Sequence, residues 1–349
     1  MIRLGLVDLA WRRRRFVVVV IVAALAFGLA LTMTGVTNQL RQEGRNTVAL
    51  FGADEWIVPS GVSGPFTSTQ VLDRSAALAA ARAAGSDDAT AILIGRISID
   101  GRDVNIVGHD PASTMSPAEL RAARNDGPDG AIADVSLGRR IGDRVEIGGH
   151  AVPITGEVAD TSFYFSSPTI FLPLEEVQRL LFAGQDVAST VVVQGELDPG
   201  AVGADGFDVL GDDDVLADFE RVIKSSTDTI TTVNVLLWLM AAGVVAGIVF
   251  LTVLERTRDF ATLKALGSTD RAIVGSLVVQ SSIVATVSAA LAVGVSRLIA
   301  PSFSFPVNVP PAAYVQLLVV ALVVGVVASL LAVRRIIRID PVLAFGGTS

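Results

Sequence analysis

The sequence contains no cysteine, only two histidines and a small share of charged residues. Without cysteine it offers no disulfide, no cysteine-ligated zinc or iron–sulfur site and no cysteine nucleophile. The histidines, His109 and His150, are too few for a multi-histidine metal centre. Charged residues make up 18% of the 349 residues, against about 25% in soluble domains. Part of the chain is therefore expected to lie in lipid.

The common catalytic motifs are also missing. The sequence has no Gly-x-x-x-x-Gly-Lys-Ser/Thr phosphate loop, no His-Glu-x-x-His and no Gly-x-Ser-x-Gly. His109 and Asp110 could form an acid–base pair, but a lone histidine beside Pro111 is more often a surface or capping residue. The run Asp212–Asp214 could bind calcium, yet acidic loops without EF-hand spacing are usually only solvated. We expect a non-catalytic chain with no bound metal or cofactor.

Four uncharged apolar runs predict membrane-spanning helices. Residues 16–36 would extend about 31 Å as a helix, which matches a hydrocarbon core of about 30 Å. Ala24-Leu25-Ala26 resembles a signal-peptidase site, but the apolar run continues to Val36, which favours a retained anchor. The four predicted spans are residues 16–36, 230–254, 272–296 and 312–333.

The basic residues near the ends of these runs predict the orientation of the chain. Arginines cluster before the first span, between the second and third, and after the fourth, whereas the loop 297–311 has a single arginine. Under the positive-inside rule both termini are cytoplasmic. The predicted cytoplasmic segments are residues 1–15, 255–271 and 334–349, and the predicted extracytoplasmic segments are 37–229 and 297–311.

Charge differs strongly between the segments. Residues 37–229 hold 14 basic and 30 acidic residues, and the remainder holds 13 basic and 5 acidic residues. Solubility of the outer segment and the positive-inside rule explain this split. Exclusion of acidic partners or attraction of cations is an alternative explanation. Nucleic acid is not an expected partner.

The outer segment reads as an α+β domain mounted on two helical stalks, residues 38–50 and 216–229. Asp100-Gly101 and Gly148-Gly149 each predict a hairpin turn. The predicted strands are 53–59, 90–99, 102–108, 144–147, 151–158, 169–173 and 190–194, and the predicted short helices are 76–84, 118–124 and 174–182.

The loop after the second predicted span has helical periodicity. Phe260, Leu263 and Leu266 recur on one apolar stripe, with charged residues around it, and Gly267 stands where a helix C-cap is expected. A basic amphipathic helix that only lies on the membrane surface is the alternative interpretation.

This loop resembles that of the FtsX/MacB-type (type VII) ABC transporter permeases. The pattern E-R-x-R-[ED]-x-x-x-L-[KR]-A-[LIV]-G is matched by Glu255, Arg256, Arg258, Asp259, Leu263, Lys264, Ala265, Leu266 and Gly267. The layout of one span, a large outer domain and three further spans is also similar, as are residues 135–158 and 172–178. The resemblance implies four transmembrane α-helices plus a large α+β extracytoplasmic domain between helices 1 and 2, like the MacB periplasmic core.

The short, DevC-like members without a fused ATPase are the most similar in layout. The resemblance implies a homodimer on separate ABC ATPase subunits that bind the ATP and Mg²⁺, in a bacterial cytoplasmic membrane. The loop Glu255–Gly267 would be the coupling helix that docks into each ATPase, with its charges setting the register and its apolar stripe providing buried area. Gln280 stands where members often carry a glutamate, so the resemblance implies no charge-dependent role at this position.

Three functions follow from these patterns. The first is a mechanotransmitting permease that exports or extracts a lipophilic or peptide-like substrate. The second is an FtsX-like regulator of extracytoplasmic cell-wall hydrolases, and the third is a membrane-anchored binding or scaffold protein without ATP coupling. Partners would include membrane lipids and, for the first two, an extracytoplasmic lipoprotein, adaptor or hydrolase.

Small residues in the first two spans could form a packing face. Gly243 and Gly247 make a G-x-x-x-G motif, and Gly28 and Gly35 lie seven residues apart. Such faces favour close helix contacts in membranes. Dimer packing and packing within one subunit are both compatible with this pattern.

Overall fold

The computed structural model describes residues 13–123, 130–164, 166–255, 257–303 and 305–337. Arg256 and most of the predicted segments 1–15 and 334–349 lie outside these residues. The chain divides into two compact units. We call Met1–Gln39 with Asp228–Ser349 the helical unit, and Leu40–Thr227 the sheet unit.

Nine α-helices occur among the described residues. They are α1 (Arg13–Ala49), α2 (Arg74–Ala83), α3 (Ala118–Ala123), α4 (Leu174–Leu181), α5 (Pro199–Gly203), α6 (Asp212–Glu255), α7 (Thr257–Ala265), α8 (Asp270–Ile299) and α9 (Pro311–Ile337). Both predicted stalks are helical, because α1 continues to Ala49 and α6 begins at Asp212.

Three of these helices contain stretches long and apolar enough to cross a membrane. The stretches are Phe16–Ala49, Asp212–Gly247 and Asp270–Ser302. Within α9 the apolar stretch Pro311–Val327 is shorter. Three candidate spans are therefore found in the described part of the chain, and the fourth remains a prediction.

The sheet unit contains eleven described strands. They are β1 (Glu55–Pro59), β2 (Leu72–Asp73), β3 (Ala89–Ile99), β4 (Arg102–His109), β5 (Ala131–Asp134), β6 (Arg144–Ile147), β7 (His150–Val158), β8 (Thr169–Pro173), β9 (Val187–Ala188), β10 (Thr190–Val193) and β11 (Phe207–Gly211). Nine form one sheet in the order β11-β1-β10-β3-β4-β8-β5-β7-β6, and β2 pairs with β9. The sheet is mixed, since β4–β8 and β5–β7 are parallel and the other pairs are antiparallel.

Both predicted hairpins are confirmed. Asp100 and Gly101 have φ of 53° and 76° and join β3 to β4, and Gly148 and Gly149 have φ of 58° and 81° and join β6 to β7. Positive φ at both central residues is the geometry of the turn that matches strand twist. Local turn chemistry therefore sets the register of these two strand pairs.

Two strands of the large sheet were not predicted. β5 is four residues long and wholly buried between β8 and β7, so it shows no alternation of apolar and polar residues. β11 pairs with β1 at one edge of the sheet. Short strands of this kind are specified by their partners, which lie far away in sequence.

The main core of the sheet unit lies between the sheet and the short helices. Val177 of α4 and Ala77, Ala80 and Ala81 of α2 are buried against strand residues such as Ile106. A separate group of aromatic side chains packs near the ends of α1 and α6 that belong to this unit. The sheet unit therefore contains two separately packed regions, the main core beside the short helices and this group of aromatic side chains.

Candidate functional site

The segment from residue 255 to residue 271 forms a helix and a tight turn. α6 ends at Glu255, α7 covers Thr257–Ala265, and α8 begins at Asp270. The predicted site residues Arg258, Asp259, Phe260, Leu263, Lys264 and Ala265 are all in α7. Arg256 lies outside the described residues.

Gly267 ends α7 in the left-handed conformation, with φ of 89°. The Ser268 amide donates to the Leu263 carbonyl at 2.9 Å, and the Gly267 amide donates to the Lys264 carbonyl at 2.9 Å. This pair of hydrogen bonds is a Schellman motif, which favours glycine at this position. The predicted C-cap is confirmed.

The start of α8 is held by side chains. Thr269 is its N-cap and accepts a hydrogen bond from the Ala272 amide, and Lys264 Nζ lies 2.8 Å from Asp270 Oδ1. The ion pair bridges the end of α7 and the beginning of α8. The turn therefore has one well-defined geometry.

The structure divides the predicted apolar stripe into two parts. Phe260 is 2% exposed and lies in the core of the helical unit with Ile273 and Leu277 of α8, and Leu263 packs against the same core. Leu266 is 79% exposed. The expectation that the whole stripe contributes buried area to a partner is therefore wrong for Phe260, because its side chain is already covered within this chain.

Gly28 and Gly35 pack within the helical unit. A Cβ at Gly28 would lie 2.6 Å from Val295 Cγ1, and a Cβ at Gly35 would lie 2.7 Å from side-chain atoms of Val307 and Val309. Close approach of other parts of the same chain thus explains both glycines. Of the two interpretations of this pair, the contacts therefore favour packing within one subunit.

Gly243 and Gly247 behave differently. A Cβ at either position would meet no described atom within 4 Å. Both glycines are exposed on α6, as are the nearby side chains of Leu236, Leu239 and Met240. This face of the helix is covered by nothing in the described part of the chain.

Small polar residues join helices of this unit. Ser281 of α8 donates to the Gly325 carbonyl of α9 at 2.8 Å, and its hydroxyl lies 2.6 Å from that of Ser329. Thr32 of α1 donates to the Ser296 hydroxyl at 3.0 Å. Gln280 is buried in α8. Hydroxyl groups and small residues at such contacts are typical of helices packed in a membrane.

The aromatic region of the sheet unit was not identified from sequence. We define the aromatic junction as Phe66, Phe163, Tyr164 and Phe219. Phe219 of α6 stacks on Tyr164 at 5.2 Å between ring centroids, and Phe66 lies 5.4 Å from Phe219 in an edge contact. Burial raises the pKa of the Tyr164 phenol, whose hydroxyl donates to the Phe66 carbonyl at 2.8 Å.

Two buried carboxylates flank the aromatic junction. Asp218 of α6 accepts hydrogen bonds from the amides of Phe66, at 2.9 Å, and Thr67, at 3.1 Å, and from the Thr67 hydroxyl. Glu43 of α1 accepts from the amide and hydroxyl of Ser166, the former at 3.1 Å. Their partners are distant in sequence, and no local sequence signal predicts these contacts.

The structure supports neither of the two weaker candidate sites, the His109–Asp110 pair and the run Asp212–Asp214. His109 is buried beside the rings of Phe51 and Phe171, so the expectation of a surface or capping histidine is wrong. Asp110 instead accepts a hydrogen bond from the Ala112 amide. The run Asp212–Asp214 forms the first turn of α6, where acidic side chains interact favourably with the positive end of the helix dipole. No group of three or more potential metal ligands occurs among the described residues.

Comparisons with known proteins identify relatives over nearly the whole length. Two uncharacterized ABC transporter permeases of Mycobacterium tuberculosis (strain H37Rv) are 35% and 34% identical over 344 residues, which is 97% of this chain and 98% of each relative. A sequence model described as the FtsX-like permease C-terminal domain matches residues 231–341.

Two further similarities are more remote. A putative hemin transport system permease protein of Staphylococcus epidermidis is 28% identical over 113 residues, 32% of this chain and of that protein. The crystal structure of the extracellular domain of the noncanonic ABC-type transporter YknZ from Gram-positive bacteria has a TM-score of 0.29 and 12% identity, covering 46% of this chain and 99% of that domain.

Proposed function

We propose that this chain, which belongs to the FtsX-like family of ABC transporter permeases, transmits ATP-driven motion from a separate ATPase subunit to its outer domain. In this mechanism, called mechanotransmission, the chain performs no catalysis and the partner hydrolyses ATP. The motion would serve the export or extraction of a lipophilic or peptide-like substrate.

The geometry of α7 and its turn carries the proposal. Leu266 is exposed at the tip of a turn that a Schellman motif and an ion pair both stabilise. Phe260, six residues earlier and within α7, is buried in the core of the helical unit. A force applied at Leu266 would therefore reach the long helices through packed side chains. The ATPase would bind this tip.

The composition of the spans supports motion rather than passage of substrate between the helices. Residues 16–36, 230–254, 272–296 and 312–333 contain no charged side chain. Charged side chains within a membrane mark the pathways of ions and hydrophilic substrates. A chain without them is better suited to move an outer domain.

Two helices would carry the motion outward. α1 and α6 both continue without interruption through the boundaries of the two compact units, at residues 39/40 and 227/228. The proposed topology has four spans, cytoplasmic termini and an extracytoplasmic sheet unit, as the arginine distribution favours. The location would be a bacterial cytoplasmic membrane.

A second copy of the chain would complete the permease. The exposed Gly243 and Gly247 let another helix approach closely, and exposed apolar side chains on the same helix could be covered by it. We therefore assign the proposed homodimer contact to α6 rather than to Gly28 and Gly35.

A lipophilic substrate is compatible with the named relatives. The staphylococcal protein is described as part of a putative hemin transport system, and hemin is a largely apolar molecule. The class of substrate, rather than hemin itself, is what we propose for this chain.

The test compares two exposed leucines. Leu266 is 79% exposed in the α7–α8 turn, and Leu298 is 80% exposed at the other end of α8. We expect Leu266→Asp to abolish co-purification of the ATPase and the stimulation of its ATP hydrolysis by the permease. Leu298→Asp should leave both unchanged, because it lies at the proposed outer end.

Both variants should insert and unfold at the wild-type temperature, since neither side chain is part of a core. An unchanged ATPase complex in Leu266→Asp would contradict the proposed contact. Loss of the complex in both variants alike would show that the effect is not specific to the α7–α8 turn.

A further inference from the structure

Two loops of the sheet unit are each hydrogen-bonded to a stalk helix and to the sheet. The first loop, residues 60–67, follows β1, and the second, of which residues 159–164 and 166–168 are described, lies between β7 and β8. In both loops aspartate or glutamate side chains accept the hydrogen bonds. The two loops are thus attached to elements that could move relative to one another.

The first loop is held by two aspartates. Asp218 of α6 binds Phe66 and Thr67, as described above. Asp208 of β11 accepts from the Gly61 amide at 2.8 Å and from the Ser60 hydroxyl at 3.0 Å. One end of the loop is therefore fixed to the sheet and the other end to a helix.

The second loop is held in the same way. Glu43 of α1 binds the amide and hydroxyl of Ser166. Asp134, the last residue of β5, accepts from the Thr161 amide at 2.9 Å and from the Thr161 hydroxyl at 2.8 Å. Again one carboxylate belongs to a helix and the other to the sheet.

Burial makes the helix contacts difficult to release. Asp218 is 0% exposed and Glu43 is 4% exposed. A buried carboxylate that loses its hydrogen-bond donors is strongly destabilised, because it has no access to water. Each loop is therefore expected to follow its helix when the helix moves.

The aromatic junction joins the two loops to both helices. The Tyr164 hydroxyl of the second loop donates to the Phe66 carbonyl of the first. A Cβ at Gly44 of α1 would lie only 2.8 Å from Phe219 of α6, so the two helices meet closely at this level. The loops and helix ends pack as one group of residues.

The second loop also contains a strained backbone. Tyr164 and Ser166 have φ of 54° and 55°, a conformation that residues with a side chain seldom adopt. Such conformations persist where surrounding contacts impose them. Here the contacts of Tyr164 with Phe66 and of Ser166 with Glu43 do so.

We propose that Glu43 and Asp218 are positioning residues that make these two loops follow α1 and α6, so that helix motion displaces the loops against the sheet. This inference rests on the proposed function, in which the helices move on ATP binding. The displaced loops would be the surface through which the outer domain acts on what it binds.

The test measures distances between spin labels, which is practical because the chain has no cysteine. The pair Ser63→Cys and Ser98→Cys reports the first loop against β3, and the pair Lys224→Cys and Ser98→Cys reports α6 against β3. All three positions are exposed. The labelled permease is assembled with its ATPase and measured without nucleotide and with a non-hydrolysed ATP analogue.

We expect both distances to change on ATP-analogue binding in the wild type. In Asp218→Ala, which removes the acceptors of Phe66 and Thr67, the loop distance should lose most of its change, while the helix distance keeps it. In Asp208→Ala the loop should still follow the helix, so the loop distance should change as much as in the wild type or more. If the two aspartates only stabilised the fold, both variants would change the loop distance response in the same direction.

Several results would overturn the inference. These are a wild-type loop response in Asp218→Ala, an equal loss in both variants, or helix motion without loop motion in the wild type. The last result would leave the proposed function intact. Absence of any change in both distances would instead contradict the proposed function on which the inference rests.

Milder variants guard against misfolding. Thr67→Val removes one donor to Asp218, and Ser60→Ala removes one donor to Asp208, so they repeat the comparison with both carboxylates present. For the second loop, Glu43→Ala is compared with Asp134→Ala, using a label at Ser162→Cys.

Discussion

Lys264 and Asp270 form an ion pair across the α7–α8 turn, with 2.8 Å between Nζ and Oδ1. The Lys264 side chain is 13% exposed, so most of its surface is covered within the chain. This lysine belongs to the family-like pattern of residues 255–267. Its structural contribution must therefore be separated from any contact with the ATPase.

Exchanging the charges of Lys264 and Asp270 separates the structural contribution of the ion pair from a contact with the ATPase. Lys264→Glu should repel Asp270 and lower the stability of the permease by at least about 0.2–1 kcal/mol, the range for the loss of a solvent-exposed ion pair. The double variant Lys264→Glu with Asp270→Lys restores an opposite-charge pair. We expect it to recover both the unfolding temperature and co-purification of the ATPase. Recovery of stability without recovery of the complex would indicate a direct contact between Lys264 and the ATPase.

Substitution of Gly267 should weaken the turn through the backbone. Gly267→Ala must adopt a left-handed conformation, which costs about 1–2 kcal/mol, although a Cβ there meets no described atom within 4 Å. Gly267→Asn should lose less, since asparagine tolerates this conformation better. Thermal unfolding and ATPase co-purification measure both effects.

Gly294→Ala is the matched control for this series. Gly294 lies within α8, and a Cβ added there would also meet no described atom within 4 Å, but its backbone is helical. The substitution should leave the complex with the ATPase unchanged. Equal losses in Gly267→Ala and Gly294→Ala would argue against conformational strain as the cause.

The two glycine pairs should respond differently to a larger side chain. Gly28→Val forces overlap with Val295 and should destabilise the permease by about 1–3 kcal/mol, as overpacked cores do. Gly243→Val should leave the fold of the single chain unchanged and reduce the dimer fraction. Thermal unfolding and mass measurement in detergent distinguish the two effects. A normal dimer in Gly243→Val would exclude α6 as the proposed contact.

Tyr164 should make the stability of the sheet unit depend on alkaline pH. Burial raises the pKa of its phenol in the folded state, whereas the unfolded side chain has a pKa of about 10. The proton is bound more tightly in the folded protein, so this stabilisation is complete below pH of about 10 and is lost as pH rises further.

The measurement compares the wild type with Tyr164→Phe. Between pH of about 9 and 11, the unfolding temperature of the wild type should fall more steeply than that of the variant, which has no phenol to titrate. If the unfolding temperatures of both proteins fell equally with pH, ionisation of Tyr164 would not destabilise the folded protein.

Local patterns predicted much of the fold correctly. The hairpin turns at Asp100-Gly101 and Gly148-Gly149, the stalk helices and the C-cap at Gly267 all follow from residues within one or two turns of each other. The short strand β5 was missed, because its four buried residues carry no periodic signal and its partners are distant in sequence.

By itself the sequence determined which segments are apolar, where α7 ends and which family pattern residues 255–267 carry, since these depend on residue type and short-range spacing. Only the tertiary structure decided that Phe260 is buried while Leu266 is exposed, and that Gly28 is covered while Gly243 is open. It also brought Asp218 to Thr67 and Glu43 to Ser166. These outcomes depend on which helices and loops pack together, and residues more than a hundred positions apart leave no local trace of their contact.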